Sequence, residues 1–303
     1  MSLVSEEIEG LARGLGAACG RQERSWVRCL AEAADAGFAA VSGLLGTERG
    51  REVLGCGEGG DQTIRLDAAA EDAILGVLGR LAPLPFHLVT EEAGMRTAAV
   101  ETVTRVVVDP VDGSLNAKRG LEPCCAALAV AEGDTLGDVG IGYVRDFARG
   151  HHYLAVRGAG FVCSRRVEPV GPGVPIELIL LEAGRPSVHT FCLRDMAGFG
   201  GDPSTTGLRV RVLGSVALSL CQVALGVADL LVVPVPSRSV DVAGALLMVL
   251  ESGGGAADLD ADSDGSELWR QPLDLQRRAP LVAWRRGLSG EAIVEQARRL
   301  VPR

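Results

Sequence analysis

Two aspartates three residues apart, Asp109 and Asp112, close an apolar run, Arg105-Val-Val-Val-Asp-Pro-Val-Asp-Gly-Ser-Leu-Asn116. Carboxylates held that close repel each other unless a cation lies between them. Gly113 lets the backbone approach a ligand closely. Ser114 adds a hydroxyl and an amide directly after it. A hard divalent cation facing a phosphate needs these parts. Two further acidic positions accompany the run. Upstream, Phe86-His-Leu-Val-Thr-Glu-Glu92 reads as a short apolar strand ending in Glu91 and Glu92. Downstream, Ser239-Val-Asp-Val-Ala-Gly244 sets Asp241 at the head of an apolar helix. Taken alone, Asp-x-x-Asp-Gly also describes a polar turn capping a strand, and Asp241 also describes a helix-start residue. Their joint presence favours metal ligation.

The three stretches resemble the signatures of the inositol monophosphatase-like family of magnesium-dependent sugar phosphatases. Those signatures are Glu-Glu, Asp-Pro-x-Asp-Gly-Ser/Thr-x-Asn and Trp-Asp-x-Ala-Gly. They stand here as Glu91-Glu92, residues 109–116 and Val240-Asp-Val-Ala-Gly244, and the resemblance runs from about residue 30 to the end. It implies an α+β and α/β chain folded as a layered αβαβα sandwich of the sugar phosphatase type. It implies two or three Mg2+ ions and a phosphomonoesterase in which water attacks a small phosphorylated substrate. By residue-for-residue match, Glu91, Asp109 and the Val111 carbonyl hold the ion that activates water. Asp109, Asp112 and Asp241 hold the ion at the leaving oxygen. Asp112, Gly113 and Ser114 meet the phosphate, and Ser114 orients the water with Glu91 and Asp67. Arg185, Ser215 and Arg238 are expected on the substrate side. A homodimer is expected on the same ground.

Departures bear on substrate. Val240 stands where the family usually has Trp, and Pro234 lies seven positions before Asp241, where inositol-preferring animal members carry a hydroxyl-binding Glu. The motif style is closer to archaeal-type members, which hydrolyse both inositol monophosphate and fructose 1,6-bisphosphate. An alternative keeps the chemistry on a nucleotide or nucleoside phosphate. Relatives that cleave phosphoadenosine phosphate usually follow Asp-Gly-Thr with Lys or Arg-Glu-Phe, and Leu115-Asn116 argues against that close kinship. A catalytically silent scaffold on the same fold would show a lost metal-ligand carboxylate, and none is lost.

The chain has 303 residues and a net charge of −9, which argues against nucleic acid as the main partner. An anionic substrate must therefore be drawn by a local cation. The eight cysteines include no Cys-x-x-Cys pair, and adjacent Cys124 and Cys125 read as small buried hydrophobes. Residues 1–10 are acidic and polar, unlike a signal peptide, and no apolar run is long enough to span a bilayer. A cytoplasmic protein without membrane partners is the expectation.

The elements that must position these residues follow from periodicity. Over 5–45, Leu11, Leu15, Ala18, Val27, Leu30, Ala34, Phe38 and Val41 recur at helical steps. Gly20 divides them, leaving a second helix over 26–45. Residues 1–24 read as an N-terminal extension helix, 25–170 as an α+β metal-binding subdomain, and 171–303 as an α/β subdomain completing the site. Gly55-Cys-Gly-Glu-Gly-Gly60 lacks the ending of a P-loop and a preceding strand, and reads as a mobile flap. Asp67 is placed to cap a helix over 68–81. Strands are expected over 86–90, 106–108 (ended by Pro110), 125–130, 138–144, 152–156 and 158–161, forming a largely antiparallel sheet. Beyond the turn cluster Gly171-Pro-Gly-Val-Pro175, strands over 176–181, 208–213 and 229–233 alternate with helices over 186–196, 216–225 and 240–250. Residues 256–267 read as an exposed acidic loop. A strand over 281–284 and a capped helix over 289–300 close the chain.

Overall fold

Alternation along three central strands decides the layers. In β6 (Cys125–Glu132), Cys125, Ala127, Ala129 and Ala131 face one core while Ala126, Leu128 and Val130 face another. In β12 (Leu230–Arg238), Leu231 and Val233 share the first core, and Leu230 and Val232 enter a third. In β14 (Arg278–Trp284), Leu281 and Ala283 divide from Val282 in the same way. Strands buried on both faces read as continuous apolar runs. Two sheets, each covered on both sides, therefore require five layers. The computed structural model describes residues 3–301 except 17, 18, 61, 172, 185–187, 189–191, 193–198, 200–206, 261–264 and 277.

The outer helical layer holds α1 (Leu3–Gly14), α2 (Arg21–Val41) and α3 (Arg65–Leu81), preceded by the hairpin of β1 (Val53–Cys56) and β2 (Gln62–Ile64). Beneath them lies a seven-stranded sheet of order β4-β3-β5-β6-β7-β8-β9. Its strands are β3 (His87–Thr90), β4 (Gly94–Arg96), β5 (Thr104–Asp112), β6, β7 (Val139–Asp146), β8 (His152–Val156) and β9 (Gly160–Cys163), and only β3 and β5 pair in parallel. The short helix α4 (Ser114–Arg119) follows β5. The middle layer is α5 (Val216–Ala224) and α6 (Ser239–Glu251). The second sheet runs β11-β10-β12-β14-β13, with β10 (Leu178–Leu181), β11 (Arg209–Arg211) and β13 (Gly255–Asp258). After α7 (Glu267–Arg270), α8 (Gly290–Arg298) covers its far face through Ile293 and Ala297. The result is an α+β layered sandwich, as the resemblance implied.

Several boundaries differ from expectation. Helix α2 begins at Arg21, five residues before 26, with Gly20 as its N-cap. Pro110 does not end β5. The register slips from Asp109↔Ala127 to Asp112↔Cys125, so one extra residue bulges out where the proline lacks an amide. The glycine-rich segment over 55–60 is not a plain loop, since Gly55 and Cys56 belong to β1. Strand β4 was not expected at all. Within 256–267, β13 buries three residues: Ala256 packs against the middle helices, Ala257 enters the third core on the opposite face, and Asp258 accepts from the Asp260 amide at 2.8 Å and Gln271 Nε2 at 3.2 Å. Ser289 is the N-cap of α8 but makes no side-chain cap bond. The helix expected over 186–196 falls almost wholly outside the described residues. No helix among the described residues is long and apolar enough to cross a membrane.

Candidate active site

The bulge at the end of β5 aims Asp109 and Asp112, and Gly113 makes the turn that follows. Gly113 has φ 84°, and a Cβ there would stand 2.9 Å from the Pro123 carbonyl oxygen. Only glycine fits both conditions. The turn delivers Ser114, whose Oγ lies 2.8 Å from the Val111 carbonyl oxygen and 3.2 Å from Asp67 Oδ1. Asp67 is not the expected N-cap. Helix α3 starts at Arg65 with Ile64 as cap, so Asp67 sits in the first turn and points to Ser114. Asn116 Nδ2 donates to the carbonyls of Pro123 and Leu213, both at 2.8 Å, and staples the turn to the second half of the chain.

Asp112 is held from the middle layer. Its Oδ2 accepts from the Ala217 amide at 2.8 Å and from the Ser215 hydroxyl, both at the start of α5. Ser215 Oγ also caps α5 by accepting from Leu218 N–H. The residue expected on the substrate side is thus 1% exposed and turned toward Asp112. Glu182 orders this corner, accepting from the amides of Leu213 and Gly214 and from Ser219 Oγ at 2.8 Å.

Glu91 follows β3. Buried Glu71 of α3 shapes its turn by accepting from Thr90 Oγ1 and from the amides of Glu92 and Ala93, at 3.3 and 3.2 Å. The β1–β2 hairpin lies against the same turn, with the amides of Glu58 and Gly59 donating to the carbonyls of Glu92 and Glu91. Asp241 arrives from the opposite side, in the first turn of α6, where its Oδ2 accepts from the Arg238 amide at 2.8 Å. What brings α6 so near is Gly244. A Cβ on it would stand 2.9 Å from Leu128 N and 3.0 Å from Leu128 O, so helix and central strand touch backbone to backbone.

Arg238 ties the acidic residues together. Its guanidinium pairs with Glu91 Oε1, lies 3.5 Å from Asp241 Oδ1, and donates to the Gly59 carbonyl at 3.2 Å. Burial pushes the Asp109 carboxyl well above its ordinary range, and the neighbouring charges of Glu91, Asp112 and Asp241 push it further. Burial raises Glu91 to about 7 against the pull of Arg238, with Asp241 adding to the rise. Burial likewise lifts Asp112 to about 7 despite its bonds to Ser215 and Ala217. Asp241 is raised by burial, opposed chiefly by Arg238. Asp67 rises to about 7 through burial and the Glu92 charge, opposed by the Ser114 hydrogen bond.

The donor set is oxygen only: four carboxylates and the Val111 carbonyl. Such a set suits a hard cation such as magnesium and does not suit zinc. Two of the carboxylates, Glu91 and Asp241, already pair with a positive group, Arg238. The residues therefore fit a divalent ion, although no three His, Cys, Asp or Glu groups among the described residues close on one point as a ready-made cage.

The structure brings together Asp67, Glu91, Asp109, Val111, Asp112, Gly113, Ser114, Ser215, Arg238 and Asp241. Arg185 lies outside the described residues. Glu71, Glu182 and Asn116 were missed as positioning residues. Asn116 had a signal in its motif; a lone Glu in a helix or a strand end had none.

The inositol monophosphatase family model matches residues 23–300. A fructose-1,6-bisphosphatase/inositol-1-monophosphatase of Methanothermobacter thermautotrophicus is 33% identical over 228 residues, 71% of this chain and 78% of that one. A bifunctional NADP phosphatase/NAD kinase of Methanococcus maripaludis is 27% identical over 80% of this chain and 44% of its own length. Among solved structures, a hypothetical Pyrococcus horikoshii protein with similarities to inositol-1 monophosphatase superposes with TM-score 0.72 at 19% identity, covering 92% of this chain and 99% of that one. The match spans nearly every element that carries the acidic residues, and the chain belongs to the inositol monophosphatase family, a phosphatase among generally metal-dependent relatives.

Proposed function

We propose that this chain is a magnesium-dependent phosphomonoesterase acting on a small sugar or polyol phosphate, of the inositol monophosphate or fructose 1,6-bisphosphate type. One observation carries the reading. Glu91, Asp109, Asp112 and Asp241, from three separate stretches, stand within electrostatic reach of one another beside the Gly113-Ser114 turn, with Arg238 paired to Glu91 and Asp241. The similarity to the Methanothermobacter fructose-1,6-bisphosphatase/inositol-1-monophosphatase supports the substrate class.

Glu91, Asp109 and the Val111 carbonyl would hold one ion, and Asp109, Asp112 and Asp241 another. Such ions lower the pKa of water and stabilise charge on the leaving oxygen. The chain supplies the rest. The amides of Gly113 and Ser114 orient the phosphate with Asp112 behind them. Ser114 Oγ and Glu91 orient the nucleophilic water. Asp67, lifted to about 7 and in reach of Ser114 Oγ, is matched to take up a proton relayed through that hydroxyl near neutral pH. The division near residue 170, the homodimer and a cytoplasmic location belong to this same proposal.

A second reading moves the chemistry to a nucleotide phosphate, and the NADP phosphatase named among the relatives favours it. Phosphate release with and without magnesium separates the two. The panel holds inositol 1-phosphate, fructose 1,6-bisphosphate, glycerol 2-phosphate, AMP, NADP and phosphoadenosine phosphate, with Asp112→Asn as control. Magnesium-dependent turnover of one sugar phosphate, lost in the variant, is the expected result. Turnover confined to nucleotides moves the substrate to the second reading. No release from folded protein refutes the proposed substrates. Magnesium binding by calorimetry then tells a silent scaffold from an enzyme with a more specialised substrate.

A further inference from the structure

The side chain of Arg238 is fixed from three directions. It reaches Glu91 Oε1 at the end of β3, Asp241 Oδ1 in its own helix turn, and the Gly59 carbonyl on the β1–β2 hairpin. The residue is 8% exposed, and a Cβ at Gly59 would stand 2.6 Å from its Nη1. An arginine on the surface would sample many such partners. This one has the planar fork of a guanidinium set between two carboxylates that, on the reading above, belong to different ions. Glu91 and Asp241 cannot each give the same oxygen to the fork and to a divalent cation, because a guanidinium and a metal ion repel each other at contact distance.

We propose that Arg238 is a built-in competitor for the metal centre: its guanidinium neutralises Glu91 and Asp241 when ions are absent and must withdraw before both ions bind. The inference rests on the reading of the acidic cluster as an ion site. Its consequence is that the protein's affinity for divalent ions is set below what its ligands alone would give. A hydrogen bond to a charged group is worth about a tenfold change in an equilibrium, or somewhat more, so losing the one to Glu91 together with the longer 3.5 Å pair to Asp241 should tighten ion binding about ten- to a hundredfold. Without ions, the same removal leaves the carboxylates facing one another with no counter-charge.

The test is Mg2+ titration by calorimetry together with melting temperatures in chelator and in saturating Mg2+. The proteins are the wild type, Arg238→Met, Arg238→Lys and Asp109→Asn. Arg238→Met should bind Mg2+ about ten- to a hundredfold tighter, melt below the wild type in chelator, and lose that deficit when ions saturate. Arg238→Lys keeps the charge but cannot fork, so it should fall between; it decides the matter alone if the methionine variant does not fold. Equal or weaker binding by the folded variants overturns the competition, as does a melting deficit of the same size with and without ions. If the wild type binds no Mg2+ and Asp109→Asn changes nothing, the ion-site reading itself has failed.

Discussion

Replacing Gly244 by alanine sets two effects of known sign against each other. The residue lies inside α6, where Gly→Ala should stabilise a helix by about 1 kcal/mol. The new methyl, however, would stand 2.9 Å from Leu128 N and 3.0 Å from Leu128 O, which are main-chain atoms of the central strand β6. Neither can rotate away, so α6 must lift. Overpacking of this kind costs about 1–3 kcal/mol, and the net expectation is a loss of up to about 2 kcal/mol, seen as a melting temperature lower by up to about 6 °C. The functional loss should be larger than the stability loss. Asp241 and Arg238 open the same helix, three residues and more before Gly244, and move with it. Misplacing a reacting group by about 1 Å can lower the rate a hundredfold, so kcat/KM should fall about ten- to a hundredfold with more Mg2+ needed for half-maximal rate. Gly79→Ala is the control. It is an exposed glycine of α3 with nothing within 4 Å of its added Cβ. That variant should gain up to about 1 kcal/mol and keep its kinetics. If Gly244→Ala melts at or above the wild type with unchanged magnesium dependence, the close approach of α6 and β6 does not place Asp241 and the argument fails.

Three further outcomes follow from buried groups. Glu71→Ala removes the acceptor that holds Thr90, Glu92 and Ala93, so the Glu91 turn should loosen. Magnesium affinity, read by calorimetry, should fall about tenfold or more while the fold survives by circular dichroism. Asp229→Ala strands Arg285, which is 1% exposed, and deprives the amides of Glu177 and Leu178 of their acceptor. Urea denaturation should show a loss of about 3–5 kcal/mol, with the KM of the surviving folded enzyme unchanged. Metal-free protein should lose stability as pH rises from about 4 to 7. Asp67, Glu91 and Asp112 titrate near 7 when folded and near 4 when unfolded. Between those values the folded state binds more protons, so each pH step favours unfolding. Saturating magnesium should flatten that decline in melting temperature, and an equal decline with and without magnesium would show that these carboxylates do not bind it.

The acidic motifs were legible because each is contiguous and ends a strand or starts a helix, where chemistry can face a cleft. Their glycines and asparagine were legible as letters and gained reasons only from long-range contact. Gly244 serves the approach to Leu128, and Asn116 reaches the carbonyl of Leu213, 97 positions away. Glu71, Glu182 and the three-way grip of Arg238 had no local signal. Each pairs with groups far along the chain, and a single charged residue in a helix or strand looks the same when it faces water. At two further places tertiary cover overrides local chemistry. Pro110 has the chemistry of a strand terminator, yet a bulge absorbs its missing amide and β5 continues. The alanines of β13 precede a run of acidic residues, yet the sheet buries both, Ala256 against the middle helices and Ala257 in the core on the far face.

The origin of the acidic residues gives the proposed ions a role beyond chemistry. Asp109, Asp112 and Glu91 stand at the ends of β5 and β3 in the seven-stranded sheet. Asp241 and Arg238 stand where β12 of the five-stranded sheet passes into α6. The site is therefore a seam between two sheets. On the proposed reading its ligands are drawn from both sides, while one guanidinium bridges the seam when ions are absent. Removal from water is the main reason these four carboxylates hold their protons, and repulsion from neighbouring carboxylates adds to it at Glu91, Asp109 and Asp112. A divalent ion removes that repulsion and adds bonds across the seam in one step. Ion binding should then stiffen the relation between the sheets as well as enable hydrolysis, and the arginine that bridges the seam without ions is the same residue that must yield when they arrive.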